Sequence, residues 1–136
     1  MKRVVEVVVD SNFLMLPMVR RINLRDELDR LLNVNYRLVA PRAVVEELEG
    51  LASRGRPIEK RRARFALNLM HSWGVEVVES PRCVKVDDAI LECALKRGCV
   101  VATNDAELKS RLRRLGVAVV YLRGGKRLAL EGELGA

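Results

Sequence analysis

Five short runs rich in β-branched residues recur along this chain, and what separates them constrains the fold more than any other feature. They are VVEVVV at 4–9, YRLVA at 36–40, VEVVE at 75–79, VVAT at 100–103 and VAVVYL at 117–122. Between them lie segments of helical pattern. NLRDELDRLL (23–32) puts Leu24, Leu28, Leu31 and Leu32 on one side. Pro41 suits the first turn of a helix running through Leu51, and Pro57 opens another that Gly74 stops after Trp73. Asp87 or Asp88 is expected to cap a helix ending at Gly98, and residues 105–115 form the last, with Leu108, Leu112 and Leu115. After the first run, SNFLMLP starts a helical turn that Pro17 must end or kink. Strands apolar on both faces, alternating with helices, demand a parallel sheet covered on both sides. The expected fold is an α/β three-layer sandwich, α/β/α, around a mainly parallel five-stranded sheet. The tail RLALEGEL could add an edge strand.

With 136 residues and neither repeats nor linkers, residues 1–136 read as one domain large enough for its own core. No apolar run approaches the ~20 residues of a membrane span, and the N-terminus lacks a signal sequence, so the expected location is cytoplasmic with no membrane partner. Cys83, Cys93 and Cys99 form no C-x-x-C pair and read as small buried apolar residues. The single His71 sits inside a helix with no partner nearby in the sequence and reads as structural.

The charge is +7 and it is clustered. RGRPIEKRRAR (54–64) holds six basic residues, Arg54, Arg56, Lys60, Arg61, Arg62 and Arg64, against one acid, and LKSRLRR (108–114) holds four more. One such run is ordinarily a solvated helix face; two on a basic chain point to a polyanion. Aromatic residues make up only 4%, so a base-stacking platform is poorly supplied.

Two of the strand runs stop on aspartate. Asp10 ends the first, and Asp105 lies just past the fourth. In open parallel sheets functional groups gather beyond the carboxyl ends of strands, so both belong on one edge; Asp87 stands at the start of the helix feeding the fourth strand. Singly, each could be a helix cap. Together, several carboxylates on one edge repel and call for a cation. Oxygen ligands without a His/Cys set indicate Mg²⁺ or Mn²⁺. Carboxylates holding such a cation inside a basic rim can bind and hydrolyse a phosphodiester backbone.

The chain resembles the PIN-domain ribonucleases. DSN at 10–12 matches that family's Asp followed by Thr/Ser and Asn; VVEELEGL resembles the segment carrying an acid before a leucine, here Glu47. VDDAILECALKRGCVVATND resembles the stretch from the third acid to a Thr-x-Asp, here Asp87 to Thr103 and Asp105. The resemblance covers nearly the whole chain. It implies a divalent-metal-dependent RNase, an endonuclease, with Asp10, Glu47, Asp87 and Asp105 as catalytic and metal-binding acids. Ser11, Asn12 and Thr103 would support them, with Asp88 beside the third acid. The first and fourth strands would then be neighbours. A helical wheel at ~100° per residue agrees, since Glu47 borders the Val44, Val45, Leu48 and Leu51 face while Glu46 points away from it. The same count puts Asp87 closer than Asp88 to the Ile90, Leu91 and Ala94 face.

Within the family, the C-terminal third looks more like archaeal relatives of ribosomal-RNA-processing nucleases than like most VapC-type toxins. A free enzyme, a toxin held by an antitoxin and a ribosome-associated nuclease would share this core. The resemblance also implies a homodimer, and FLMLPMV (13–19) is an apolar stretch that a small domain need not bury alone. Rival enzymes fit poorly. A haloacid-dehalogenase-type phosphatase wants a second Asp where Asn12 stands, and a dinucleotide-binding domain wants a glycine-rich first turn. The alternative is a PIN-like module that binds RNA or protein without cleaving.

Overall fold

The structure is a computed structural model that describes residues 4–81, 84–97 and 100–134. Strand β1 (Val5–Val9) is followed by two single-turn helices, α1 (Ser11–Leu14) and α2 (Leu16–Val19), then α3 (Leu24–Leu32) and β2 (Tyr36–Pro41). Helices α4 (Arg42–Arg54) and α5 (Pro57–Ser72) lead to β3 (Glu76–Val78), and α6 (Val86–Arg97) to β4 (Val100–Ala102). Helix α7 (Ala106–Arg114), β5 (Val119–Arg123) and β6 (Arg127–Glu131) complete the described chain.

The sheet order is β3-β2-β1-β4-β5-β6, parallel except for β5–β6. Strand β1 thus lies between β2 and β4, with Val9 paired to Ala102, and the runs ending near Asp10 and Asp105 are neighbours as expected. The sheet has six strands rather than five, because the tail folds back on β5 through a glycine turn. Consecutive strand residues point to opposite faces. Val7, Val8, Val9, Val101, Ala102, Val119 and Val120 are all fully buried, so both faces are covered and the three-layer expectation holds.

Local chemistry sets the element ends. The Asn23 side chain accepts the Asp26 amide at 3.1 Å to start α3, whose Leu24, Leu28 and Leu32 are buried. Pro57 stands at the first turn of α5, with Glu59 reaching back to the Arg56 amide at 2.8 Å. Gly74 ends that helical stretch in the left-handed region (φ 63). Pro17 breaks nothing within a helix; it sits in the first turn of α2, and the bend falls at Met15.

Two expectations are corrected or narrowed. Helix α6 begins at Val86, with the Ala89 amide bonded to the Lys85 carbonyl at 3.0 Å. Asp87 and Asp88 therefore lie inside its first turn and are not its cap. Most of FLMLPMV is internal: Phe13, Leu14 and Leu16 are buried, leaving Met18 and Val19 exposed. Cys93 is buried as expected, whereas Cys83, Cys99 and the helix stop at Gly98 lie outside the described residues. His71 is exposed on α5. No helix among the described residues is long and apolar enough to cross a membrane.

Candidate active site

Parallel pairing sends β1, β2 and β4 to the same edge, and the acids follow directly. Asp10 comes straight after β1 and is only 4% exposed. One carboxylate oxygen, Oδ1, accepts the Ser11 amide at 2.8 Å, and the other, Oδ2, accepts the Thr103 hydroxyl at 2.7 Å. Thr103 is itself fully buried, and its Oγ1 accepts the Asp105 amide at 3.1 Å. One threonine therefore ties the ends of β1 and β4 together. The Asn12 side chain adds a second tie, accepting the Asn104 amide at 3.0 Å.

Glu47 arrives from α4, nearly two helical turns past Pro41. Its Oε1 accepts the Ser11 hydroxyl at 2.5 Å across 36 residues of sequence. Glu46 and Glu47 are both exposed overall, so exposure alone does not separate them; the bond to Ser11 does. Asp105 caps α7, its Oδ1 accepting the Glu107 and Leu108 amides at 2.9 and 3.1 Å. Its Oδ2 receives no hydrogen bond among the described residues. The capping and site readings thus coexist, because a cap occupies only one of its two oxygens.

Electrostatics link the four acids in series. The Asp10 carboxyl is raised to about 6, chiefly by burial and also by the charges of Glu47 and Asp87, against the Thr103 and Ser11 hydrogen bonds. The Asp87 carboxyl is raised first by burial and then by Asp105, while Arg111 opposes the shift. Asp88 turns away into an ion pair with Arg111 at 3.0 Å. Along the sequence Arg111 is only part of a basic run; its place opposite α6 depends on how α7 packs.

Among the described residues, no three side chains of the His, Cys, Asp and Glu types converge into a ready-made ion site. The donor set nonetheless suits a hard cation in kind. Every group offered is a carboxylate or hydroxyl oxygen, and the buried Asp10 has no basic partner among the described residues. That charge is costly as it stands, and a cation would relieve it.

Of the basic residues expected to bind RNA, Arg56 is held by Glu59 at 3.3 Å. Arg54, Lys60, Arg61, Arg62 and Arg64 form no ion pair among the described residues, on α4 and on α5, which packs against α1. Beyond β4, strand β5 continues past Val120, the last residue it pairs with β4, and carries Tyr121 and Leu122 beside Thr103–Asp105 and then Arg123.

Comparison with known proteins agrees with this architecture. The family model described as "PIN like domain" matches residues 7–125. Ribonuclease VapC9 of Archaeoglobus fulgidus is 37% identical over 125 residues, covering 91% of this chain and 87% of the relative. Ribonuclease VapC4 of Methanocaldococcus jannaschii is 31% identical over 133 residues, covering 93% and 97%. The structure of the PIN domain endonuclease Utp24 superposes with a TM-score of 0.78 at 25% identity, over 96% of this chain and 94% of that one. A domain of a functionally unknown protein from Methanocaldococcus jannaschii supports the fold alone, with a TM-score of 0.61 at 19% identity over 100% and 99% of the two chains. By matched length, relatives and fold, the chain belongs to the PIN-like domain family.

Proposed function

We propose that the chain is a cytoplasmic, single-domain endoribonuclease dependent on Mg²⁺ or Mn²⁺, with Asp10, Glu47, Asp87 and Asp105 holding the ion. The observation that carries this reading is Asp10, a carboxylate 4% exposed, without a cation partner among the described residues and with like charges nearby. Two curated relatives are named ribonucleases, and a solved neighbour is titled an endonuclease. When bound, the ion supplies Lewis acidity at phosphoryl oxygens and makes water easier to deprotonate.

The chain's own residues do the positioning. Thr103 fixes the orientation of Asp10 and, through the Asp105 amide, the start of α7. Ser11 holds Glu47 toward the same edge, and Asn12 keeps the Asn104 loop against α1. Asp105 has one oxygen left over from capping. The Asp88–Arg111 pair keeps a guanidinium near Asp87, which tempers its rise without neutralising it. Adding Mg²⁺ or Mn²⁺ to protein and RNA should start cleavage. Binding without cleavage under every condition would instead support the non-catalytic module.

The cations of α4 and α5 that form no ion pair among the described residues supply affinity without sequence preference, because phosphate contacts position a strand and do not specify it. Replacing Arg61, Arg62 and Arg64 with Ala should weaken RNA binding. It should also flatten the plot of log K against log salt by up to about 2, at about 0.7 per lost single-strand contact. An unchanged slope would mark the segment as a solvated face.

The protein also forms a homodimer through the face carrying Met18 and Val19, 37% and 48% exposed. A monomeric mass by light scattering at tens of micromolar would count against it. As a further partner, the relatives' names favour an inhibitory antitoxin over a ribosome-bound assembly.

A further inference from the structure

The edge of the sheet beyond β4 holds a cavity that adjoins the four acids at Asp105 only. Thr103, Asn104, Asp105, Lys109, Tyr121 and Leu122 border this cavity of ≈ 160 Å³, room for about five waters. That volume suits one planar heterocycle and excludes a base pair. Tyr121 supplies an aromatic wall, and the Lys109 Nζ lies 3.7 Å from the centre of its ring. Asp105, one of the four acids, stands on the rim.

A second observation continues from the first. The β5–β6 turn spans Gly124–Lys126, with Gly124 and Gly125 at φ 63 and 71; it closes on Arg123 paired with Arg127, and the Lys126 amide donates to the Arg123 carbonyl at 3.4 Å. The Arg20 guanidinium reaches the same tip, 3.9 Å from where a Cβ on Gly125 would stand. Arg20, Arg123 and Lys126 are exposed and form no ion pair among the described residues. Like charges gathered without an ion-pairing acid among the described residues call for an anion. Tyr121 and Arg123 are two apart on one strand, so they share a face, about 7 Å from each other.

We propose that the cavity between Asp105, Lys109 and Tyr121 receives one unpaired nucleobase beside the cleaved phosphodiester, and that the hairpin tip binds the phosphates that follow. The inference deepens the ribonuclease reading and rests on it. A duplex cannot offer a free base to the cavity, so the stretch of RNA lying along β5 must be unpaired. The inference also directs the strand along β5, a path that the scarcity of aromatic residues does not forbid, because one tyrosine at the right place is enough.

The test uses the full chain in an Asp10→Asn background with Mg²⁺, so that RNA is bound without being cut. Wild-type cleavage of the same RNA is followed in parallel. Tyr121→Leu should weaken binding of a fluorescent single strand about tenfold and leave duplex binding unchanged. The surface pair Arg123→Ala/Lys126→Ala should lower the salt slope by about 1.4 with an unchanged melting temperature. Photocrosslinking of a 5-iodouridine single strand to the background protein should label the β5 peptide, independently of whether Tyr121→Leu folds. Full affinity in both variants, with crosslinks elsewhere, would overturn the inference and leave the nuclease standing if wild-type cleavage persists. Absence of both binding and cleavage by the wild type would remove both readings.

Discussion

Asp10→Asn is expected to reduce RNA cleavage at least 100-fold while making the protein harder to melt. The catalytic loss follows from removing one charge from a group proposed to hold a cation, where charge stabilisation is worth several kcal/mol. The gain in stability follows from burial. The Asp10 carboxyl goes from 3.8 to about 6 on folding, so the ionised form costs the fold about 3 kcal/mol at neutral pH. Because the folded value is the higher one, Asp10's contribution to stability is fully present below about pH 4 and is lost as pH rises through about 6. Asparagine removes that loss. Its amide can still accept the Ser11 amide but meets the Thr103 oxygen as a donor, which costs about 1 kcal/mol in mismatched hydrogen bonding. The net gain of about 1–2 kcal/mol corresponds to a rise of several degrees at pH 7, shrinking towards pH 4. Adding Mg²⁺ should raise the wild-type melting temperature and leave the variant unmoved. A variant that melts lower at pH 7 and higher at pH 4 would reverse this reading of Asp10.

The second large effect separates adjacent acids. Glu47→Gln should cut cleavage at least tenfold, whereas Glu46→Gln should stay within about twofold, because only Glu47 is turned onto the site by Ser11. Glutamine keeps an acceptor for that hydroxyl, so stability should change by less than about 1 kcal/mol. Thermal melts and initial rates measured together separate lost chemistry from lost fold. By the same reasoning Asp87→Asn should be the more damaging of its pair, since Asp88 is already committed to Arg111 at 3.0 Å. If Glu46→Gln proves the more damaging, the placement of α4 against α1 is wrong.

Much of this geometry is legible in the amino-acid sequence alone, and the reason is periodicity. Val4–Val9 and Val100–Thr103 are β-branched runs stopped by polar residues, and the alternation of such runs with helices leaves little besides a covered parallel sheet. Strand direction then puts Asp10 and Asp105 on one edge. The α4 wheel selects Glu47 over Glu46 because that choice is local to one helix. What escapes the sequence is pairwise and long-range. Asp88 on α6 meets Arg111 on α7 across 23 residues of sequence. The start of α6 is misleading in sequence because Asp87 has cap chemistry, yet the helical backbone bonding begins earlier, at Lys85. The sixth strand depends on the Gly124–Gly125 turn closing as a hairpin. Arg20 reaches that turn across the fold, a meeting that no window along the chain contains.

The central claim is that the four carboxylates act through a cation. Stripped of divalent ions, the wild-type protein is mixed with single-stranded RNA in excess chelator, then titrated with Mg²⁺ or Mn²⁺. Cleavage should be absent in chelator, appear with the ion, and stay absent for Asp10→Asn at every ion concentration. Wild-type cleavage continuing undiminished in excess chelator would contradict that claim.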